Sequence, residues 1–466
     1  MRVDQGLHCT LQRSQKVPCI HAPWLSLIAA SIVCVALASG CATHAKRLAS
    51  PRTSFYGGDL QRASAQLLKL EEKRSHDRSV VELDLAMVEL FQGNVDSAEA
   101  RLRAIRDNWD HYEQSSLAES ASSYILDDNT RAYSGEDYER ILVRVMLTLC
   151  SLVGDGVDAE SYSLQTLAKQ QELLSRARKR WDENLEDQYC VPPIAPYLRG
   201  VLRESTLSDY HEAEKHYRRA AMLMPEDSFV EADILRSQNG VHSQPGHGVV
   251  YVIALVGRGP YKEEVSAPAT QAALQAADAI LSAIGEYSVP PTLAPVKVPA
   301  ILCPPKPFDL VGVAVDGVPA STTMPITDLD QLATDSYQAK YPQLLARTVA
   351  RRIVKKGTIY AAKDHFEADS DLASIAFSAA GVLWEATESA DTRCWGLLPR
   401  EIQILRLELP AGVHRLELEP VAAGNVVAKP TTCSLRVANG QNSYVLSYWP
   451  GTEPIGGVLV SQNSRL

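Results

Sequence analysis

The stretch Asp127–Arg140, DDNTRAYSGEDYER, places five carboxylates, two arginines and two tyrosines within fourteen residues. Carboxylates this close can do two kinds of chemistry. Asp127 and Asp128, set against Glu136 or Glu139, could ligate a divalent cation, or split into a protonated acid and an ionised base. Arg131 and Arg140 compete for the same oxygens as salt-bridge partners. A structural description needs less. The chain leaves one helix near Leu126, turns through Asn129 to Gly135, and starts a second helix behind acidic first-turn residues. Ser134 and Asp137 have the spacing of a capping box. Behind them Tyr138, Ile141, Leu142, Val145, Leu149 and Leu152 form an apolar stripe of helical period. A joint between helices is the favoured reading, because an active site would also require these side chains to converge in a pocket.

Other stretches fail their tests for chemistry. GRGPYK (Gly257–Lys262) follows a strand, as a phosphate loop would, but the chain has no GxxxxGK[ST], and Lys262 stands where GxGxxG needs its third glycine. HExxH and GxSxG are absent. His211 and His216 are five apart and so fall on different faces of a helix. Nothing assigns a catalytic residue, a metal ligand or a cofactor. The basic cluster Arg176–Arg180 reads as a solvated helix face. The net charge of −10 also argues against nucleic acid as a partner.

The N-terminus carries a different signal. Residues Leu25–Gly40, LSLIAASIVCVALASG, form an uncharged run of sixteen behind Arg2, Arg13 and Lys16. The run is short of the roughly 20 residues that span a bilayer. Its small residues end at Cys41, the pattern of a cleaved export signal over 1–40. The LASGC ending resembles the bacterial lipobox, with Cys41 as the lipidated residue. Ala42 follows it rather than an aspartate, which by resemblance to Gram-negative sorting rules favours the outer membrane. Five cysteines would then remain in the mature chain, with no CxxC among them.

Downstream, residues 41–54 are polar and unpatterned, a tether. Residues 55–236 repeat themselves. Gly58 is followed by Ala63, Leu67 and Leu70, and Gly93 by Ala98, Leu102 and Ile105 at the same steps. Ala213, Tyr217 and Ala220 return the pattern after Ser208, and Gly154 with Ala159 gives a partial copy. Gly58 and Gly93 are 35 residues apart, close to the 34 of a tetratricopeptide repeat. Glycine turns the chain, alanine lets helices approach, and the large residues share one helical face. A linker over 237–248 leads to an α+β region, 249–466. It opens with the apolar strand Val249–Val256, continues through helical patterns at Thr270–Ile284, Tyr341–Ala361 and Ser370–Thr387 and a strand at Leu310–Val315, and ends in two expected β-hairpins. One hairpin turns at Pro410-Ala411-Gly412 and the other at Asn439-Gly440.

Two segments carry a resemblance. DDNTRAYSGEDYERI resembles the nD…Y.GedfEr signature of a family of uncharacterised bacterial lipoproteins. ADTRCWGLLPREIQILRLELPAGVHRLELE (Ala390–Glu419) resembles that family's eaDtRsW.tLPa run, and GVVYVIALVGRGPYKEE matches a looser third block. The resemblance implies a lipobox, a tetratricopeptide-like region and a C-terminal α+β domain, and no activity. The matching positions, Asp128, Tyr133, Gly135, Glu139, Asp391, Arg393 and Trp395, are the candidate binding surface. Cys394 stands where serine is usual.

The expectation is therefore a lipid-anchored, periplasm-facing envelope protein that acts as a scaffold or assembly adaptor for another envelope protein. Two alternatives remain: a metal-dependent hydrolase using Asp127, Asp128, Glu136 and Glu139, and a carrier of a small apolar ligand between helices around Trp384.

Overall fold

The structure, a computed structural model, describes residues 44–72, 77–116, 132–180, 191–224, 229–268, 270–284, 295–365 and 389–466. Helices come first: α1 (His44–Tyr56), α2 (Leu60–Glu71), α3 (Arg78–Phe91), α4 (Val95–Ser116), α5 (Asp137–Val153), α6 (Ala159–Arg180), α7 (Ile194–Glu204), α8 (Tyr210–Met222) and α9 (Val230–Gln238). The main helix–helix contacts among them join consecutive helices. Strands dominate the rest, so the chain is α+β with its helices before its sheets.

β1 (His247–Val256) explains how the layers stack. Its sequence, HGVVYVIALV, is apolar at nearly every position, so neither face can meet water. Val249, Tyr251, Ile253 and Leu255 join a core shared with the helices. Val250, Val252, Ala254 and Val256 join a second core behind. β1 lies in the middle of a five-stranded sheet, ordered β12-β11-β1-β7-β6. It runs parallel to β11 (Asn442–Trp449) and antiparallel to β7 (Glu401–Pro410), with β6 (Met324–Asp328) and β12 (Leu459–Val460) at the edges. The second sheet, β10-β8-β4-β5, is built from β4 (Leu310–Val315), β5 (Val318–Thr322), β8 (Gly412–Ala422) and β10 (Thr431–Val437), with β9 (Asn425–Val426) beside β8. Helices, first sheet and second sheet are thus three layers.

Neither expected hairpin forms. β7 and β8 flank Pro410-Ala411-Gly412 but pair in different sheets, and so do β10 and β11 on either side of Asn439-Gly440. Both turns are corners that carry the chain from one sheet to the other. The reason is β1. A strand that needs cover on both faces takes the place between β7 and β11 that a local hairpin partner would have filled.

A smaller unit hangs beside these layers. β2 (Tyr261–Ala267) pairs with β3 (Val296–Leu302), and both pack with α10 (Gln271–Ile284) and the long helix α11 (Leu329–His365) around a third core. The helix expected over 341–361 therefore starts twelve residues earlier and passes through Pro342. The helix expected over 370–387, and Trp384 with it, lies outside the described residues.

Two segments read as connectors are parts of the body. From His44 onward the expected tether is α1, with His44, Leu48, Pro51 and Phe55 buried. Residues 237–248 are tied to the sheet ends: Gln244 N donates to Glu408 Oε1 at 2.8 Å, Gly246 N donates to Asn439 Oδ1 at 2.9 Å, and His242 Nε2 bonds Asn442 Oδ1 at 2.8 Å. Thr43–Leu466 is one compact unit, and a single hydrophobic core runs from Leu48 in α1 to Leu459 in β12. Among the described residues no helix is long and apolar enough to cross a membrane.

Candidate functional site

α5 is the centre of the helical layer. Tyr138 to Val153 are buried except Arg140, because α4 and α6 flank the helix while β11 and α11 also touch it. Its N-terminus shows what the carboxylate-rich stretch does. The chain is described again from Ala132. Tyr133 O accepts a hydrogen bond from Trp109 Nε1 of α4 at 3.1 Å. Gly135 then crosses the face of Trp109 with φ +77°, where a Cβ would lie 2.5 Å from the indole. Both the left-handed backbone and the contact require glycine there.

The N-cap is Glu136, two residues later than the expected Ser134. Glu139 sits at the third helical position and folds back on it, its Oε2 accepting from Glu136 N at 3.1 Å. The same oxygen accepts from Tyr133 OH at 2.5 Å, and Oε1 accepts from Trp395 N at 2.8 Å. Glu139 therefore reaches a backbone group 256 residues away in the chain while fully buried. Burial raises its carboxyl pKa against the pull of these donors.

Trp395 belongs to an irregular segment, 389–400, which the helices hold by its backbone and side chains. Arg52 of α1 donates Nη2 to Cys394 O at 2.9 Å and Nε to Asp84 of α3 at 2.8 Å, and Tyr56 OH donates to Gly396 O at 2.6 Å. Asp84 has no exposed surface. Arg393 donates Nε and Nη2 to the two oxygens of Asp391 at 2.9 and 2.7 Å, and its guanidinium lies 5.3 Å from the Tyr133 ring centre. Behind it Asp77 is shared by His44 at 3.2 Å, Arg47 at 2.5 Å and, at 3.9 Å, Arg393. A loop without ladder partners must find other acceptors and donors for its backbone, and here the first helices supply them.

Glu136 points the other way. Its carboxylate pairs with Lys262 of β2 and, at 3.3 Å, with Lys340 of α11, which also reaches Asp137 at 2.8 Å. Burial would raise the Glu136 pKa, but the two ammonium groups outweigh it and hold it well below the usual carboxylate range. Lys262, which fails as a phosphate-loop lysine, is this carboxylate's counter-ion.

Six of the seven matching positions thus meet at one place: Tyr133, Gly135, Glu139, Asp391, Arg393 and Trp395. Asp128 and Asp127 lie outside the described residues. The carboxylates of Glu136 and Glu139 are already engaged by cations and hydrogen-bond donors, and among the described residues no group of three or more His, Cys, Asp or Glu side chains could hold a metal ion. Cys394 is buried, and burial raises its thiol pKa. What the arrangement does chemically is fix the segment 389–400 to α1, α3 and α5.

Trp109, Asp77, Asp84 and Arg52 stand in no motif that marks them for this seam. One signal was present: His44, Leu48 and Pro51 inside the expected tether, and Phe55 just after it, recur at helical spacing.

A second cluster of charges lies in an open cleft of about 480 Å³ between α4, α5 and α6. Arg144 grips both oxygens of Asp110 at 2.8 and 2.6 Å, and Lys169 reaches Asp110, Glu113 and Glu172 at 2.8–2.9 Å. Arg176, from the basic cluster, pairs with Glu172 and Glu113. Comparison of the chain with protein-family models, curated proteins and solved structures finds no match in any of the three, so the resemblance to the lipoprotein family rests on its motifs alone.

Proposed function

We propose that the protein is a lipid-anchored envelope protein of the bacterial lipoprotein family its motifs resemble. It is exported by residues 1–40, acylated at Cys41 and carried on the periplasmic face of the outer membrane. It serves as a scaffold whose tetratricopeptide-like helices hold another envelope protein, without catalysis of its own. The observation that carries this reading is the helical layer. Its helices pack in sequence order, as in a solenoid. Ala63, Ala98, Ala159 and Ala213 occupy the same step of four units, and each is at most 1% exposed. Leu67, Leu102 and Tyr217, four residues further on, are buried to the same degree. Gly58 and Gly93 open their units with φ of +79° and +86°.

One face of this array is occupied by the protein's own first sheet, so a partner takes the outward side. Leu164 of α6, Met222 of α8 and Leu235 of α9 are more than half exposed there, single apolar side chains available for contact. The buried pairing at Glu136 and Glu139 supports a structural reading of the carboxylate stretch over the hydrolase alternative.

The test is in-cell photo-crosslinking from positions 164, 222 and 235 in the full-length chain. A single envelope protein captured at these positions, and lost with Met222→Asp and Leu235→Asp, is the expected result. Absence of any specific adduct from the three positions would overturn the scaffold.

A further inference from the structure

A lipoprotein is ordinarily pictured at the end of a flexible leash, and the sequence over 41–54 reads as one. The structure leaves almost no leash. The first described residue, His44, is already buried at 6% exposure, and its Nδ1 lies 3.2 Å from Asp77. Arg52, Phe55 and Tyr56 fix the rest of α1 to α3, to the sheet and to the segment 389–400. Three peptide steps separate Cys41 from His44, a reach of at most about 11 Å.

That reach is close to the Debye length of about 8 Å at physiological ionic strength, so charges at this end must feel the surface they face. The exposed charges at the start of α1 are cationic, Lys46 and Arg47, with Arg78 at the start of α3; Arg47 pairs with Asp77 and Arg78 with Glu82. The nearby carboxylates are largely covered, Asp77 under His44 and Arg47, and Glu82 under Arg78. The chain as a whole is acidic, so this basic end stands out against its net charge of −10.

We infer that the start of α1, with Lys46, Arg47 and Arg78, is a membrane-docking face that seats the folded body directly on anionic phospholipid headgroups. The inference rests on acylation of Cys41. It restricts the partner as well: whatever the helical array binds must itself lie at or in the membrane, because the body cannot swing away from it.

Neutron reflectometry of the full acylated protein on supported bilayers containing phosphatidylglycerol tests this, with mass spectrometry of the N-terminal peptide run on the same sample. The expected result is an acylated Cys41 and no resolvable water layer between headgroups and protein. A Lys46→Glu, Arg47→Glu, Arg78→Glu variant that also carries twelve Gly/Ser residues between Ala42 and Thr43 should open a water layer of roughly 20 Å, the root-mean-square span of that linker. A melting temperature equal to the wild type's shows that this variant is folded, and Lys46→Gln, Arg47→Gln, Arg78→Gln with the same spacer serves if the charge reversals unfold it, whereas the spacer alone should leave the body docked. An acylated wild type that stands off by a layer of that size overturns the docking face and leaves the anchor intact. An unacylated Cys41 overturns both.

Discussion

The seam at Glu139 and the cleft at Asp110 are made of the same residue types, and they differ in what the charges meet. At the seam each carboxylate oxygen of Glu139 accepts from a backbone N–H, one of them 256 residues away in the chain, and water is excluded. In the cleft Asp110 is about a third exposed, and it pairs with the long side chains of Arg144 and Lys169. Charge clusters of the first kind define a fold, because removing one member leaves buried donors with nothing to bond. The cleft cluster is half open: water screens Asp110, while Arg144, Lys169 and Glu113 beside it are buried. Composition alone does not separate them; burial and backbone partners do.

Four substitutions probe this contrast. Glu139→Ala strands Trp395 N, Glu136 N and the Tyr133 hydroxyl at once, and should destabilise the protein by about 3–5 kcal/mol in urea unfolding. Gly135→Ala drives a methyl group into Trp109 and forces alanine to φ +77°, and should lose roughly 2–4 kcal/mol in the same assay. If either change proves mild, the seam is not the rigid joint described.

Asp330, in the first turn of α11, is a buried carboxylate of a third kind. Arg400 is its cation, with Nε at 3.2 Å, and the Cys303 thiol lies beside it. Burial pushes its pKa from 3.8 to about 6, so the folded state holds this proton more tightly than the unfolded chain does. Its contribution is therefore fully present below pH 3.8 and lost as the pH rises through about 6. Asp330→Asn should remove that slope and raise stability at pH 7.5 by about 2 kcal/mol, read from unfolding midpoints across pH. The smallest effect belongs to the cleft. Asp110→Ala leaves Arg144 its bond to Arg140 O and Lys169 its pairs with Glu113 and Glu172, and should cost about 1 kcal/mol, less in high salt. A loss there as large as at Glu139 would erase the distinction between the two clusters.

Much of the order of elements was legible. The strand at Val249–Val256, the strand at Leu310–Val315 and the helix at 271–284 stand where periodicity puts them. The two motif segments that carry the resemblance meet at Glu139. What was not legible has physical causes. Asn439-Gly440 and Pro410-Ala411-Gly412 have turn chemistry that serves a sheet-to-sheet corner as well as a hairpin. Only the long-range demand of β1 for cover on both faces decides between them. The segment of α1 reads as a tether because it is polar and unpatterned, and Pro51, a residue that ordinarily ends a helix, stands inside the helix it forms. Four buried side chains and the Arg52–Asp84 pair, which joins residues 32 apart, hold it as helix. The capping box lies two residues later than Ser134, the better N-cap by residue type, because Gly135 turns over Trp109 with φ +77° and the helix starts only after it.

The central claim is that the carboxylate-rich motif is a joint between the helical layer and the segment leading into β7. Native-state hydrogen exchange on Glu139→Gln tests it most directly, since an amide keeps the size and loses one acceptor for the three donors. The account predicts that protection falls together in α5, in the backbone of 393–398 and in β7, by about tenfold or more for a loss above 1.4 kcal/mol. Unchanged protection in 393–398 and β7, with exchange rising in α5 alone, would contradict it.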